Sequence, residues 1–175
     1  MKLAAAGSFL LTLVFVGLLL AGGKWAIPYA ITFGTCFYHF SMRLIVGHAI
    51  NYKMKNRADY TKRWYQQRPF ESAVYKFLNV KKWKATMPTY DPSVFDPRKH
   101  TWEEIAQAMC QAEIVHEVIV VLSFLPLLAA IPFGAFLVFL FTSIAAALYD
   151  LSFVIMQRFN RPRIIQFIKK ERTVK

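Results

Sequence analysis

The chain has 175 residues, 56% of them hydrophobic, with 22 Lys and Arg against 10 Asp and Glu and a formal net charge of +12. The length suits one domain over 1–175, and the apolar fraction exceeds the roughly 45–50% of soluble domains, which argues against disorder, collagen-like repeats and disulfide-rich scaffolds. A basic soluble nucleic-acid binder fits poorly as well, because 12 of the basic residues lie in 51–112 and 7 in 157–175, while long apolar blocks lie elsewhere.

The first block, residues 3–21, has 19 residues without a charge, enough at about 1.5 Å each to cross a hydrocarbon core of roughly 30 Å. Lys2 and the small residues Ala21, Gly22 and Gly23 resemble a cleaved signal, but the apolar run exceeds the ~7–15 residues of a signal core. The expectation is a retained span. A second span is expected over 25–46, with Trp25 and Tyr29 as interfacial aromatics. The third block, Ile114 to Met156, would reach about 64 Å as one helix, twice the core. It must fold back, and Ile131-Pro132-Phe133-Gly134 is the expected bend. Spans over 114–131 and 132–156 complete an all-α integral membrane protein with four transmembrane helices in two hairpins.

The basic residues set the orientation. Segment 51–112 and the tail 157–175 share one side, whereas the bends carry only Lys24. By the positive-inside rule both termini and the middle segment face the cytoplasm of a bacterial cell membrane. Cys36, a small apolar residue inside a span, and Cys110, on that reducing side, are not expected to pair, and they lack zinc-type spacing.

The cytoplasmic segment is itself expected to be helical. Pro69 can open a helix that puts Phe70, Ala73, Val74, Phe77 and Leu78 on one face, and Lys76, Lys81, Lys82 and Lys84 surround Trp83. Two readings stand: an amphipathic stretch in the headgroups of an anionic leaflet, or a subdomain folded against the spans. Pro88, Pro92 and Pro97 punctuate a loop over Met87–His100. Thr101 and Glu104 then form a capping box for a helix that runs into the third span.

Ionisable residues inside spans cost roughly 2.5–3.5 kcal/mol each on insertion scales, so each is a functional candidate. His39 and Arg43 share one face of the second span with Thr35. Glu113, His116 and Glu117 stand at i, i+3 and i+4 at the entrance of the third. Asp150 lies late in the fourth, followed by Gln157, Arg158, Asn160, Arg161 and Arg163. A histidine beside carboxylates suits general-base chemistry, which makes His116, Glu113 and Glu117 the catalytic candidates. The others, with Trp83 and Lys84, are the substrate-binding candidates. Arg43 as a snorkelling anchor and the tail arginines as ordinary cytoplasmic flank are the plainer readings. Glu113-x-x-His116 is half of a di-iron ligand set without its second half, and no metal or other cofactor is expected.

Three segments carry a resemblance to a known family. They are Phe70-Glu71 through Tyr75-Lys76-Phe77 to Val80-Lys81-Lys82-Trp83-Lys84 and Pro88; Ala112-Glu113-Ile114-Val115-His116 leading to Phe124-Leu125-Pro126; and Gln157-Arg158-Phe159-Asn160-Arg161-Pro162-Arg163. In this order they resemble the glycosyl-4,4′-diaponeurosporenoate acyltransferases over about residues 64–170. The sequence departs from that pattern at Met87, and the first two spans carry no match. The resemblance implies transfer of a fatty acyl group to a sugar hydroxyl of a glycosylated C30 carotenoid, the last step of staphyloxanthin synthesis. It singles out Trp83, Lys84, Glu113, His116, Gln157, Arg158, Asn160, Arg161, Pro162 and Arg163.

The expected function is therefore a membrane-bound acyltransferase at the cytoplasmic interface. Its acceptor is a glycolipid-like hydroxyl, its donor acyl-CoA or another activated acyl group, and its partners are the lipid substrate and membrane lipids, with no nucleic acid. In this reading His116 is the base, Glu113 or Glu117 orients it, and the tail arginines meet the donor phosphate or the oxyanion. The alternative is a non-catalytic adaptor that binds anionic lipid or assists assembly in lipid synthesis. A transporter fits less well, since its polar groups would gather at the midplane.

Overall fold

In the computed structural model, which describes residues 1–89 and 91–174, every regular element among those residues is helical. Tyr90 in the expected proline-punctuated loop and Lys175 in the tail lie outside the described residues. Helix α1 covers Lys2–Leu20 and α2 covers Ile27–Met54. Two short helices, α3 over Glu71–Phe77 and α4 over Val80–Trp83, precede α5 over Trp102–Leu122. A single turn, α6 over Ala130–Phe133, leads to the 39-residue α7 over Phe136–Val174.

Three stretches among the described residues are long and apolar enough to cross a membrane: Lys2–Leu20, Trp102–Phe133 and Phe136–Thr173. The expected second span is helical but not among them. Its 28 residues have the length, yet His39, Arg43, His48 and Lys53 dilute the apolar character.

One boundary differs from expectation, at a proline. Residues 114–131 are not one helix: α5 stops at Leu122 and a 3-10 turn over Leu125–Ala129 follows. Pro126 has no N–H to offer the Leu122 carbonyl four residues back, and the Tyr38 hydroxyl donates to that carbonyl instead, at 2.7 Å. The reversal itself falls beside the expected bend, where Gly134 and Ala135 take φ of 68° and 51°. Conversely, the tail after Met156 is helical, because α7 continues through Pro162. One proline removes a single ladder bond, and packing holds the remainder: Phe167 stacks on Trp102 at 4.7 Å.

The chain divides into two units. The first comprises Met1–Ala49 and Val121–Ala147. There α1 meets α2 through aromatic rings, with Phe15 stacked on Tyr29 at 4.9 Å and on Phe33 at 5.5 Å. The turn between these helices needs glycine: Gly22 has φ 94°, and the Gly22 and Gly23 N–H groups cap the Leu19 and Leu18 carbonyls.

The second unit comprises Ile50–Val120 and Leu148–Lys175. Its core includes Ala58, Tyr65 and Cys110, with Met54, Tyr60 and Ile114 against them. The expected capping box opens α5: the Thr101 N–H donates to Glu104 Oε2 at 2.8 Å, and the Glu104 N–H to Thr101 Oγ1 at 3.2 Å. Both cysteines are free thiols.

Candidate functional site

Within the second unit α5 and α7 run antiparallel, since contacts that advance along one helix retreat along the other. His116 meets Asp150, Glu113 meets Arg158 and Arg161, and Glu103 meets Arg172. This register gives Glu113 and His116 different partners on α7, while the third residue expected on that face, Glu117, accepts from Trp64 instead.

Glu113 is fully buried and receives both arginines. Arg158 Nη1 donates to Glu113 Oε1 at 2.6 Å, and Arg161 Nη2 donates to Glu113 Oε2. Arg158 also reaches α3, where its Nη2 donates to Glu71 Oε1 at 2.6 Å, and it caps the Trp64 and Gln66 carbonyls. Arg161, 1% exposed, donates to the Tyr65 carbonyl at 2.8 Å and lies over the Tyr65 ring. The Tyr75 hydroxyl completes the set by donating to Glu71 Oε2 at 2.6 Å. Two arginines thus meet two glutamates, and the network carries no net charge.

The α3 side of this network shows the electrostatic consequence. Burial works against the charge of Glu71, but the hydrogen bonds from Arg158 and Tyr75 outweigh it and hold the carboxyl below the usual glutamate range. Burial, and then the Glu71 carboxylate, push the Tyr75 phenol up, so it remains a donor.

His116 belongs to a separate pair. Its Nδ1 lies 2.9 Å from Asp150 Oδ1, with the histidine side chain 22% exposed and the aspartate 1%. The Phe153 ring stacks on the imidazole at 4.5 Å and 7°, which fixes the plane of the ring. The carboxylate within hydrogen-bond distance of His116 is Asp150, whereas Glu113 and Glu117, which helical spacing puts on the same face, meet other groups. Spacing puts those acids on one face with His116, but α7 presents arginines to Glu113, and Trp64 Nε1 donates to Glu117 Oε2 at 3.1 Å. In the tautomer that carries its hydrogen on Nδ1, His116 donates to Asp150 and presents Nε2 as the basic nitrogen, the arrangement general-base chemistry uses.

The remaining candidates separate by place. Lys84 Nζ donates to Asn160 Oδ1 at 2.6 Å and lies 4.7 Å over the Phe159 ring. Burial, and then the nearby Arg163 and Lys81, push the ammonium of Lys84 to lower pKa. Arg163 is exposed, Gln157 is buried, and the Trp83 indole donates to the Leu78 carbonyl at 3.0 Å. His39 and Arg43 belong to the first unit, where His39 is buried and Arg43 donates to the His39 and Ala146 carbonyls. Sequence reasoning gave no site role to Glu71, Tyr75, Tyr65 or Trp64. Glu71 and Tyr75 were visible in the first segment of the resemblance and at i, i+4 spacing, but neither signal showed that they face Arg158.

No curated protein and no solved structure matches the chain. A family model does match, over residues 61–170, a stretch that contains the arginine–glutamate network, the His116–Asp150 pair and the Lys84–Asn160 contact. The chain belongs to the glycosyl-4,4′-diaponeurosporenoate acyltransferase family.

Proposed function

We propose that this protein transfers a fatty acyl group to a hydroxyl of a glycosylated carotenoid or similar glycolipid, with His116 as the general base. One observation carries the reading: an imidazole, 22% exposed, hydrogen-bonded at 2.9 Å to a buried carboxylate and stacked on a ring. The Nε2 atom of His116 takes the proton of the acceptor hydroxyl as its oxygen attacks the acyl carbonyl. Collapse of the tetrahedral adduct breaks the bond to the leaving group, which takes the proton from His116. Asp150 holds the ring in the productive tautomer throughout.

The donor is an activated acyl group such as acyl-CoA. Arg158 and Arg161 are neutralised by Glu71 and Glu113, so the cations assigned to an anionic donor are Lys84 and Arg163. The network of Arg158 and Arg161 acts as scaffold. The adaptor reading is not favoured, because the family is named for an acyl transfer. The topology proposed with this function has four spans in two hairpins, α2 supplying the fourth. Segment 51–112 and both termini face the cytoplasm, in agreement with their basic residues.

The test is intact-lipid mass spectrometry of membranes that hold glycosylated carotenoid and either this chain or His116→Ala. A species heavier by one fatty acyl group is expected with the native chain and absent with the variant, at equal membrane levels. The same species at the same yield from His116→Ala would remove His116 from the mechanism.

A further inference from the structure

Helix α3 is amphipathic in an inverted sense. Its buried residues are polar: Glu71 and Tyr75 are 6% and 8% exposed and point into the arginine network. Its large apolar residues face outward, with Phe70 at 59%, Val74 at 38%, Phe77 at 88% and Leu78 at 38%. Phe70 and Leu78, flanking the helix, keep helical backbone angles, so all four share its periodicity. At about 100° per residue, Phe77 lies roughly 140° around the helix from the Glu71–Tyr75 line. Exposure is thus greatest for Phe70 and Phe77, the two farthest of these residues from the buried polar line.

An apolar face of this kind beside water is unfavourable, and the surrounding charge indicates what covers it. Between residues 68 and 84 the chain carries Arg68, Lys76, Lys81, Lys82 and Lys84, and the only acid there is Glu71. Arg158 has already neutralised that acid. Lys76, Lys81 and Lys82 are exposed. Outward phenylalanines amid uncompensated lysines match a boundary where acyl chains meet anionic headgroups.

We propose that α3 is a lipid-docking element, with Phe70, Val74 and Phe77 entering the acyl boundary of an anionic leaflet and Lys76, Lys81 and Lys82 meeting its phosphates. The Glu71–Arg158 and Tyr75–Glu71 bonds act from the other face as rivets that hold the helix with its apolar side out. The proposal is independent of the catalytic reading.

The test puts the photoreactive residue p-benzoylphenylalanine in place of Phe77, with Phe70 as a second position and Arg98 as comparison. Phe77 is so exposed that the exchange leaves the packing intact, and the Arg98 side chain is 89% exposed. The full chain is irradiated in vesicles of equal phosphatidylglycerol and phosphatidylcholine, and adduct masses are read. The expected result is lipid adducts at 77 and 70 but not at 98, with phosphatidylglycerol favoured by about fivefold, the effect of one lysine near a charged surface. Crosslinking to a second copy in the vesicles would reassign the face to self-association and overturn the proposal. So would the absence of lipid adducts at both positions, or equal capture of the two lipids.

Discussion

Asp150 and His116 show how a residue acquires a role from its partner. An acid in an apolar helix is costly, and Asp150, 1% exposed, is held against the His116 imidazole. If Asp150 orients the base, Asp150→Asn should keep the protein folded and the acceptor KM close to native. The kcat should fall by roughly 10²-fold, the lower end of what positioned acid–base groups supply. Steady-state kinetics on purified protein read this split, and a rise in KM at unchanged kcat would instead mark Asp150 as a binding group. His116 stood out in the sequence as a candidate because Glu113 and Glu117 flank it at helical spacing. Its true partner was not legible, because the two residues are 34 apart and only the register of α5 against α7 brings them together. Arg158 and Arg161 illustrate the same limit, since a basic motif does not reveal which carboxylates will neutralise it.

At the scale of elements, local rules were the legible ones. The capping box at Thr101 depends on residues three apart, and both of its hydrogen bonds form. The helix stop at Leu122 needed knowledge of Tyr38, far away in the chain, which takes over the carbonyl that Pro126 cannot serve. The reversal before α7 was legible as a bend but not in its geometry. Gly134 takes one positive φ at little cost, whereas Ala135 takes a second at 51°, where a Cβ costs roughly 1–2 kcal/mol. Ala135→Gly should relieve that strain, and after the added freedom of the unfolded chain about 0.5–1 kcal/mol of stabilisation should remain. A thermal-shift measurement in detergent reads it as a rise in Tm. A fall would show that the Ala135 methyl contributes contacts that outweigh its backbone strain.

Across the whole molecule, the charge inventory makes stability sensitive to acid. The chain is already at +12, so each carboxylate that takes up a proton adds to self-repulsion, and the buried network depends on two of them. Glu71 is the one whose sign can be worked through. Its folded pKa lies below the ordinary glutamate value of about 4.3, so the folded state binds its proton less readily than the unfolded chain. The stability it contributes is complete above that ordinary value and is lost as pH falls through the folded pKa. Arg158 stays charged across this range, and Tyr75, held protonated, continues to donate, so neither offsets the loss. Tm in a neutral detergent should therefore hold between pH 5 and 7 and decline below about 4. Glu71→Gln should start lower, because Arg158 loses a charged partner while still facing Glu113. Its acid decline should be shallower than that of the native chain, because one of the titrating groups is gone. Parallel declines in the two proteins would mean that acid acts through other carboxylates and that the Glu71–Arg158 contact adds no pH-dependent stability.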